Sequence, residues 1–154
     1  ESARIDPGVR IGHVHLKVAD IDRALSFYRD VLGFEVMQRY GADAVFLSAG
    51  RYHHHIGLNT WQSKGGRPPP HGATGLFHVA ILYPTRAALA DALHRVRTAG
   101  ISLDGASDHG VSEALYLDDL AVGDEFISGE HRLDAEQMIA FGSQFDPQPK
   151  GSLS

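Results

Sequence analysis

The sequence predicts an α+β protein built from two paired βαβββ modules, and three observations carry that prediction. Ile11-Gly-His-Val-His-Leu-Lys-Val18 alternates around Val14, Leu16 and Val18, the period of a strand with one buried face, and passes directly into a helical pattern. The same succession returns at Leu76-Phe-His-Val-Ala-Ile-Leu-Tyr83. Between the two lies Ser63 to Gly75, SKGGRPPPHGATG, whose Gly and Pro density marks a surface linker. With His78 laid on His13, an offset of 65 (78 − 13), Val79 falls on Val14, Ile81 on Leu16, Tyr83 on Val18 and Thr85 on Asp20. This is a degenerate internal repeat. Two such modules, each with a half-covered sheet, can pack their open faces around a shared concavity.

Each element follows from its local pattern. Asp20 is placed to cap a helix in which Ile21, Leu25, Tyr28 and Leu32 keep helical spacing, and Gly33 supplies a left-handed stop. Strands are expected over Phe34 to Tyr40, Ala44 to Ala49 and His53 to Trp61, with turns at Gly41-Ala-Asp43 and Gly50. In the second module Thr85 caps a helix from Arg86 to Ala99, closed by Gly100. The modules are expected to span 8–62 and 75–119, with 63–74 as linker, 120–149 as an appendage and 150–154 as a tail that reads as either native or vector sequence.

Composition narrows the partners. At 154 residues and 43% hydrophobic, the chain can bury a substantial core. Its net charge of −5, with basic residues scattered, argues against nucleic acid. No apolar run approaches the roughly 20 residues that span a bilayer, so the expected setting is cytoplasmic, with no membrane partner. Cysteine is absent, which leaves imidazole, carboxylate and amide oxygen as metal donors. Ten histidines make imidazole the richest of these.

HVHLKVADIDRALSFYRDVLGF resembles the opening of the vicinal oxygen chelate superfamily, which includes glyoxalases, bleomycin- and fosfomycin-resistance proteins and extradiol dioxygenases. RYHHHIGLNTW, GLFHVAILYP and GASDHGVSEALYLDD are similar to its catechol-2,3-dioxygenase-like branch, and with the opening they account for most of residues 8 to 119. The resemblance implies a divalent metal, foremost Fe(II) with Mn, Ni or Zn as substitutes, held by two histidines and a glutamate with positions open to a catechol-type diol and dioxygen. Carried over by position, His13 and His78 match the two histidines, and the repeat pairs them independently. His15, two residues from His13 and on the same strand face, is a substitute. Hydrogen-bonded core histidines are the plain alternative reading of all three.

The run His53-His54-His55 lies mid-chain between apolar stretches and is native sequence. Strand alternation sends His53 and His55 to one face and His54 to the other. By resemblance a histidine here is an acid–base catalyst, assigned to His55 with His54 in reserve. His109 in SDHGVSEALY takes the place of an outer histidine that donates to the substrate oxygen. Asn59, Trp61 and Tyr116 are candidates to line a pocket.

The pattern breaks after SEALYLDD. The family calls there for a Gly-rich turn and a last strand carrying the glutamate ligand. Residues 120–149 instead resemble the start of a hot-dog-fold enoyl-CoA hydratase or dehydratase, without the histidine that such a site needs, so hydratase activity is not expected. A strand Asp124 to Ser128 is expected to fill the last position of the second sheet. It presents either Glu125, as third ligand, or Phe126 to the interior. His131 to Phe145 reads as a C-terminal helix whose apolar stripe at Leu133, Met138, Ile139 and Phe141 must dock on the sheet or on a second copy in a homodimer. The expected function is a metal-dependent, ring-cleaving dioxygenase acting on a small aromatic diol, weakened if the glutamate is lost. A non-catalytic small-molecule binder is the alternative, and a glyoxalase-like isomerase a third.

Overall fold

The computed structural model describes residues 3–70, 72–108, 112–118 and 138–144. The chain forms two compact units, Glu1–Gly66 and Arg67–Ser154, and the division falls within the linker read from the sequence. Among the described residues no helix is long and apolar enough to cross a membrane.

The first unit runs β1 (Val14–Lys17), α1 (Ile21–Tyr28), β2 (Glu35–Tyr40), β3 (Ala44–Ser48) and β4 (Ile56–Asn59). Its sheet has the order β1-β4-β3-β2, with β1 parallel to β4 and the other pairs antiparallel. Register lines up Val14 with Ile56 and Leu16 with Leu58, then Ile56 with Leu47 and Leu58 with Val45, so these side chains share one face. Against it packs α1, whose buried residues are Ile21, Ala24, Leu25, Phe27 and Tyr28. Each large side chain so buried contributes on the order of 1.5–3 kcal/mol. Asp20 starts the helix by accepting from the Arg23 amide at 2.8 Å. At the other end Gly33, with φ of 87°, reverses the chain as the Phe34 amide donates to the Tyr28 carbonyl.

The alternate residues of β1 face the other way. Val14 and Leu16 are half-buried, whereas His15 and Lys17 are exposed, which leaves one side of this sheet open to the chemistry described below. β4 is shorter than the sequence suggests: His53, His54 and His55 precede it in irregular backbone. That matters because strand alternation no longer separates them.

The second unit repeats the plan with β5 (His78–Leu82), α2 (Arg86–Thr98), β6 (Gly105–Asp108), β7 (Ser112–Asp118) and β8 (Met138–Gln144), in the order β5-β8-β7-β6. Thr85 accepts from the Ala88 amide at 3.1 Å, 65 residues (85 − 20) after Asp20 does the same work. The helix closes with amide donation from Gly100 to Arg97 and from Ile101 to Val96, the paired bonds of a Schellman stop, with Gly100 at φ of 77°. Among the described residues of the second unit, Leu89, Ala92 and Val96 of α2 are buried together with Ile101 and Leu117.

The structure corrects the C-terminal helix. Met138–Gln144 is a strand, parallel to β5 and antiparallel to β7. Ile139 and Phe141 fit an alternating pattern as well as a helical one. Pairing decides between them, since a strand inserted there satisfies backbone donors and acceptors on both β5 and β7. The apolar stripe that suggested docking on a second copy therefore loses its basis over these residues. Met138–Gln144 thus takes the place expected of Asp124 to Ser128, while Glu125 itself lies outside the described residues, as do His131 to Gln137.

Candidate metal centre

The site is built on the open side of the first sheet. His13 immediately precedes β1 and His15 lies within it, so alternation places both imidazoles away from α1. Gly50 at φ of 76° turns the chain out of β3, and Arg51 to His55 then return it to β4. That return brings two more imidazoles, His53 and His54, to the same place. The rings of His13 and His54 are 4.3 Å apart between centroids, those of His13 and His15 5.1 Å, and those of His13 and His53 5.7 Å. His13, His53 and His54 each offer a ring nitrogen, and these donor atoms all lie within 4.8 Å of one another.

Direct contacts order the cluster. His53 Nδ1 and His54 Nδ1 are 2.8 Å apart, and His15 Nε2 and His54 Nε2 are 3.2 Å apart. A neutral imidazole has one donor and one acceptor nitrogen, so His54 donates to one of these neighbours and accepts from the other. Burial, and then the positive character of His13, His53, His15 and His55 on protonation, hold His54 below the ordinary histidine range. A ring kept neutral is a ring able to ligate. Phe46 forms an apolar wall, with its centroid 4.9 Å from that of His54 and 5.9 Å from that of His15. Gly57 permits the position of His15: a Cβ there would come within 2.8 Å of the His15 Nε2 atom.

His55 is engaged differently. Its Nδ1 accepts from the Ala49 amide at 3.3 Å and lies 3.1 Å from Ser48 Oγ, so the neutral ring carries its proton on Nε2. His78 opens β5 and is exposed, with its ring 5.4 Å from that of Phe77. It belongs to the second unit. His109 and Glu125 lie outside the described residues. Asn59 is buried and in register with Lys17, Trp61 is exposed, and Tyr116 is half-buried in β7. The structure thus brings together His13, His15 and His54 from the sequence-derived set and adds His53. Sequence alternation did not place His53 with His54, because the alternation rule holds only once a strand has begun.

Comparison with known proteins decides the family. The sequence profile of the glyoxalase/bleomycin resistance protein/dioxygenase superfamily matches residues 10–121. The chain belongs to this superfamily. Within the superfamily it is 45% identical over 95 residues to the catechol-2,3-dioxygenase of Bacillus subtilis (strain 168), a match covering 61% of this chain and 33% of that protein. It is 33% identical over 111 residues to the biphenyl-2,3-diol 1,2-dioxygenase 3 of Rhodococcus globerulus, covering 71% of this chain and 57% of that one. The chain therefore spans between a third and somewhat over half the length of these curated relatives. Superfamily folds among solved structures are similar at lower identity. A glyoxalase/dioxygenase from Nostoc punctiforme gives a TM-score of 0.66 at 13% identity, covering 95% of this chain and 99% of that one. A lactoylglutathione lyase from Agrobacterium tumefaciens gives 0.62 at 22%, covering 90% and 96%. These likenesses concern the fold, a mixed α+β architecture of few helices and extensive sheet.

Proposed function

We propose that the chain is a divalent-metal protein of the extradiol ring-cleaving dioxygenase type that takes a catechol-like diol. The observation that carries this reading is the imidazole cluster headed by His13 on the open face of β1, in a chain 45% identical over 95 residues to a catechol-2,3-dioxygenase. In this reading two βαβββ modules pair, and His13 and His78 hold the metal with Glu125 as third ligand. When bound, a divalent ion such as Fe(II) supplies Lewis acidity toward the diol oxygens and the electrons that activate dioxygen.

The remaining work falls to this chain's side chains. His55, with its proton on Nε2, is equipped as a donor in the acid–base role, and His54, kept neutral near pH 7, as an acceptor. His109 stands as donor to the substrate oxygen. Phe46 and Tyr52 supply aromatic walls beside the imidazoles and exclude water from one side of the diol.

One observation favours the second reading, a small-molecule binder without turnover. The strand between β5 and β7, where the family carries its glutamate, is Met138-Ile-Ala-Phe-Gly-Ser-Gln144 and contains no carboxylate. We read residues 120–149 as sequence of foreign, hydratase-like origin, supported by the end of the superfamily match at residue 121.

The test is anaerobic loading with Fe(II), followed by exposure to catechol and oxygen while the absorbance of the ring-opened product is recorded. Turnover abolished by His78→Ala upholds the dioxygenase. Stoichiometric iron with no product overturns it in favour of the binder, for which ligand-induced thermal stabilisation is then expected.

A further inference from the structure

The donor set within the first unit differs from the one implied by family resemblance, which joins His13 to His78 and Glu125. We propose that the first unit by itself holds a late first-row divalent cation, Zn(II) or its spectroscopic substitute Co(II), on His13, His53 and His54, with His15 as the positioning residue for His54. This inference does not depend on the dioxygenase reading.

Geometry is the first support. Zn–N bonds of about 2.0–2.1 Å in a tetrahedron set donor nitrogens roughly 3.3 Å apart. The His53 and His54 Nδ1 atoms, at 2.8 Å, lie close to that spacing, and the full set lies within 4.8 Å. Closing the remaining gap of about 1.5 Å requires only side-chain rotation. His13 and His53 are exposed and free to make it, and His54 is half-buried and fixed.

Chemistry is the second. Three imidazoles without a carboxylate suit Zn, Ni or Cu better than Mg, Ca or Mn, and the fourth tetrahedral position is left to water. An ion at the Nδ1 edge that His54 shares with His53 leaves the proton of His54 on Nε2, where it donates to His15 Nε2 at 3.2 Å. Metal-bound histidines characteristically donate their other N–H to such an outer partner, which fixes tautomer and ring plane. Room for that partner comes from Gly57, in register with His15 and lacking the Cβ that would strike its ring. Because His13 belongs to both donor sets, an ion held here competes with one held through His78.

Co(II) titration of the untagged full chain, followed by d–d absorbance in the visible and reversed by Zn(II), tests the site without reference to turnover. One tetrahedral Co(II) per chain is expected, with affinity lowered about 10- to 100-fold in His54→Ala and more in the His53→Ala/His54→Ala double variant. His15→Ala should lose about tenfold while keeping the tetrahedral band. His94→Ala, on α2 and outside both donor sets, should bind within about twofold of the parent. Binding lost in His78→Ala but kept in the double variant would overturn it, as would a parent chain that binds neither ion. Thermal melts by circular dichroism accompany each variant. Should His54→Ala not fold, the exposed His53→Ala carries the same expectation. Failure of ring cleavage with this Co(II) site intact would remove the dioxygenase alone.

Discussion

The two units share a topology and differ in what their first strands expose. Laid over one another at the 65-residue offset, the inward positions agree: Val14 and Leu16 in β1 correspond to Val79 and Ile81 in β5, and all four are half-buried. Of the outward positions the first is kept, His13 against His78, and the next two diverge, with His15 and Lys17 in β1 against Ala80 and Leu82 in β5. Neighbouring strands follow suit. Gly57, in register with His15, gives a large ring its space, whereas Ala140 stands in register with Ala80. The helices trade volume in the same spirit, Ala24 and Phe27 of α1 corresponding to Leu89 and Ala92 of α2, all buried. What the fold requires is therefore kept in both halves, and the positions it leaves free are where the halves take different chemistry.

The largest expected effects probe the two cores. Leu47→Ala in β3 and Leu117→Ala in β7 each remove a side chain with no exposed surface, at a cost of about 2–5 kcal/mol. The chain's single tryptophan, Trp61, lies in the first unit, so its fluorescence reports that unit during urea unfolding. Leu47→Ala should move the fluorescence midpoint further than Leu117→Ala does. Equal shifts would mean that the halves unfold as one body. Next in size is Gly57→Ala, whose new methyl forces the His15 ring from its place. Overpacking costs about 1–3 kcal/mol in a closed core, and this exposed ring can swing aside, so the cost should fall at the low end. The sharper readout is the His15 and His54 ring proton resonances, which should shift together as their contact breaks; unchanged resonances would refute the close approach.

Most of the first unit was legible because its signals are local. The cap at Asp20, the stop at Gly33 and the alternation of β1 each depend on residues a few positions apart, and the repeat gave the second helix its cap at Thr85. The site was legible in part. His13 and His15 share a face by strand alternation, whereas His54, held in reserve behind His55, and His53 both meet them through irregular backbone that no periodicity describes. Met138–Gln144 was misread for a different reason: its apolar positions fit two periods, and the deciding partners, β5 and β7, are remote in sequence. Asp118 pairs with Met138 at the end of β7, a contact across 20 residues (138 − 118) that local propensity cannot foresee.

Smaller effects separate the two helix caps, which occupy equivalent places in the repeat. Asp20→Ala and Thr85→Ala each remove a side-chain acceptor from an orphan amide, worth about 1 kcal/mol. The carboxylate also interacts with the positive helix end, adding roughly 0.3–1 kcal/mol that a hydroxyl does not supply. Thermal melts at low salt should rank Asp20→Ala as the more damaging, with the gap narrowing as salt is added. A gap indifferent to salt would leave the dipole out of the account.

The smallest effect, and the most specific to the first unit, is a dependence on pH. His54 is held below the ordinary histidine value by burial first and by its imidazole neighbours His13, His53, His15 and His55 second. In the unfolded chain the same ring titrates near the ordinary value of about 6.5, so between the two values the unfolded state binds the extra proton. Stability from this group is therefore present above the ordinary value and lost as pH falls through the folded one. Urea midpoints of the metal-free protein should decline from about pH 7.5 to about pH 5.5, with a shallower decline in His54→Gln. Adding Zn(II) should steepen the parent's dependence, since protonation then also releases the ion, and should leave the slope of the variant unchanged. Were parent and variant to follow the same curve with and without the ion, the cluster would be a set of independent surface imidazoles, and the contrast between the two sheets would carry no chemical consequence.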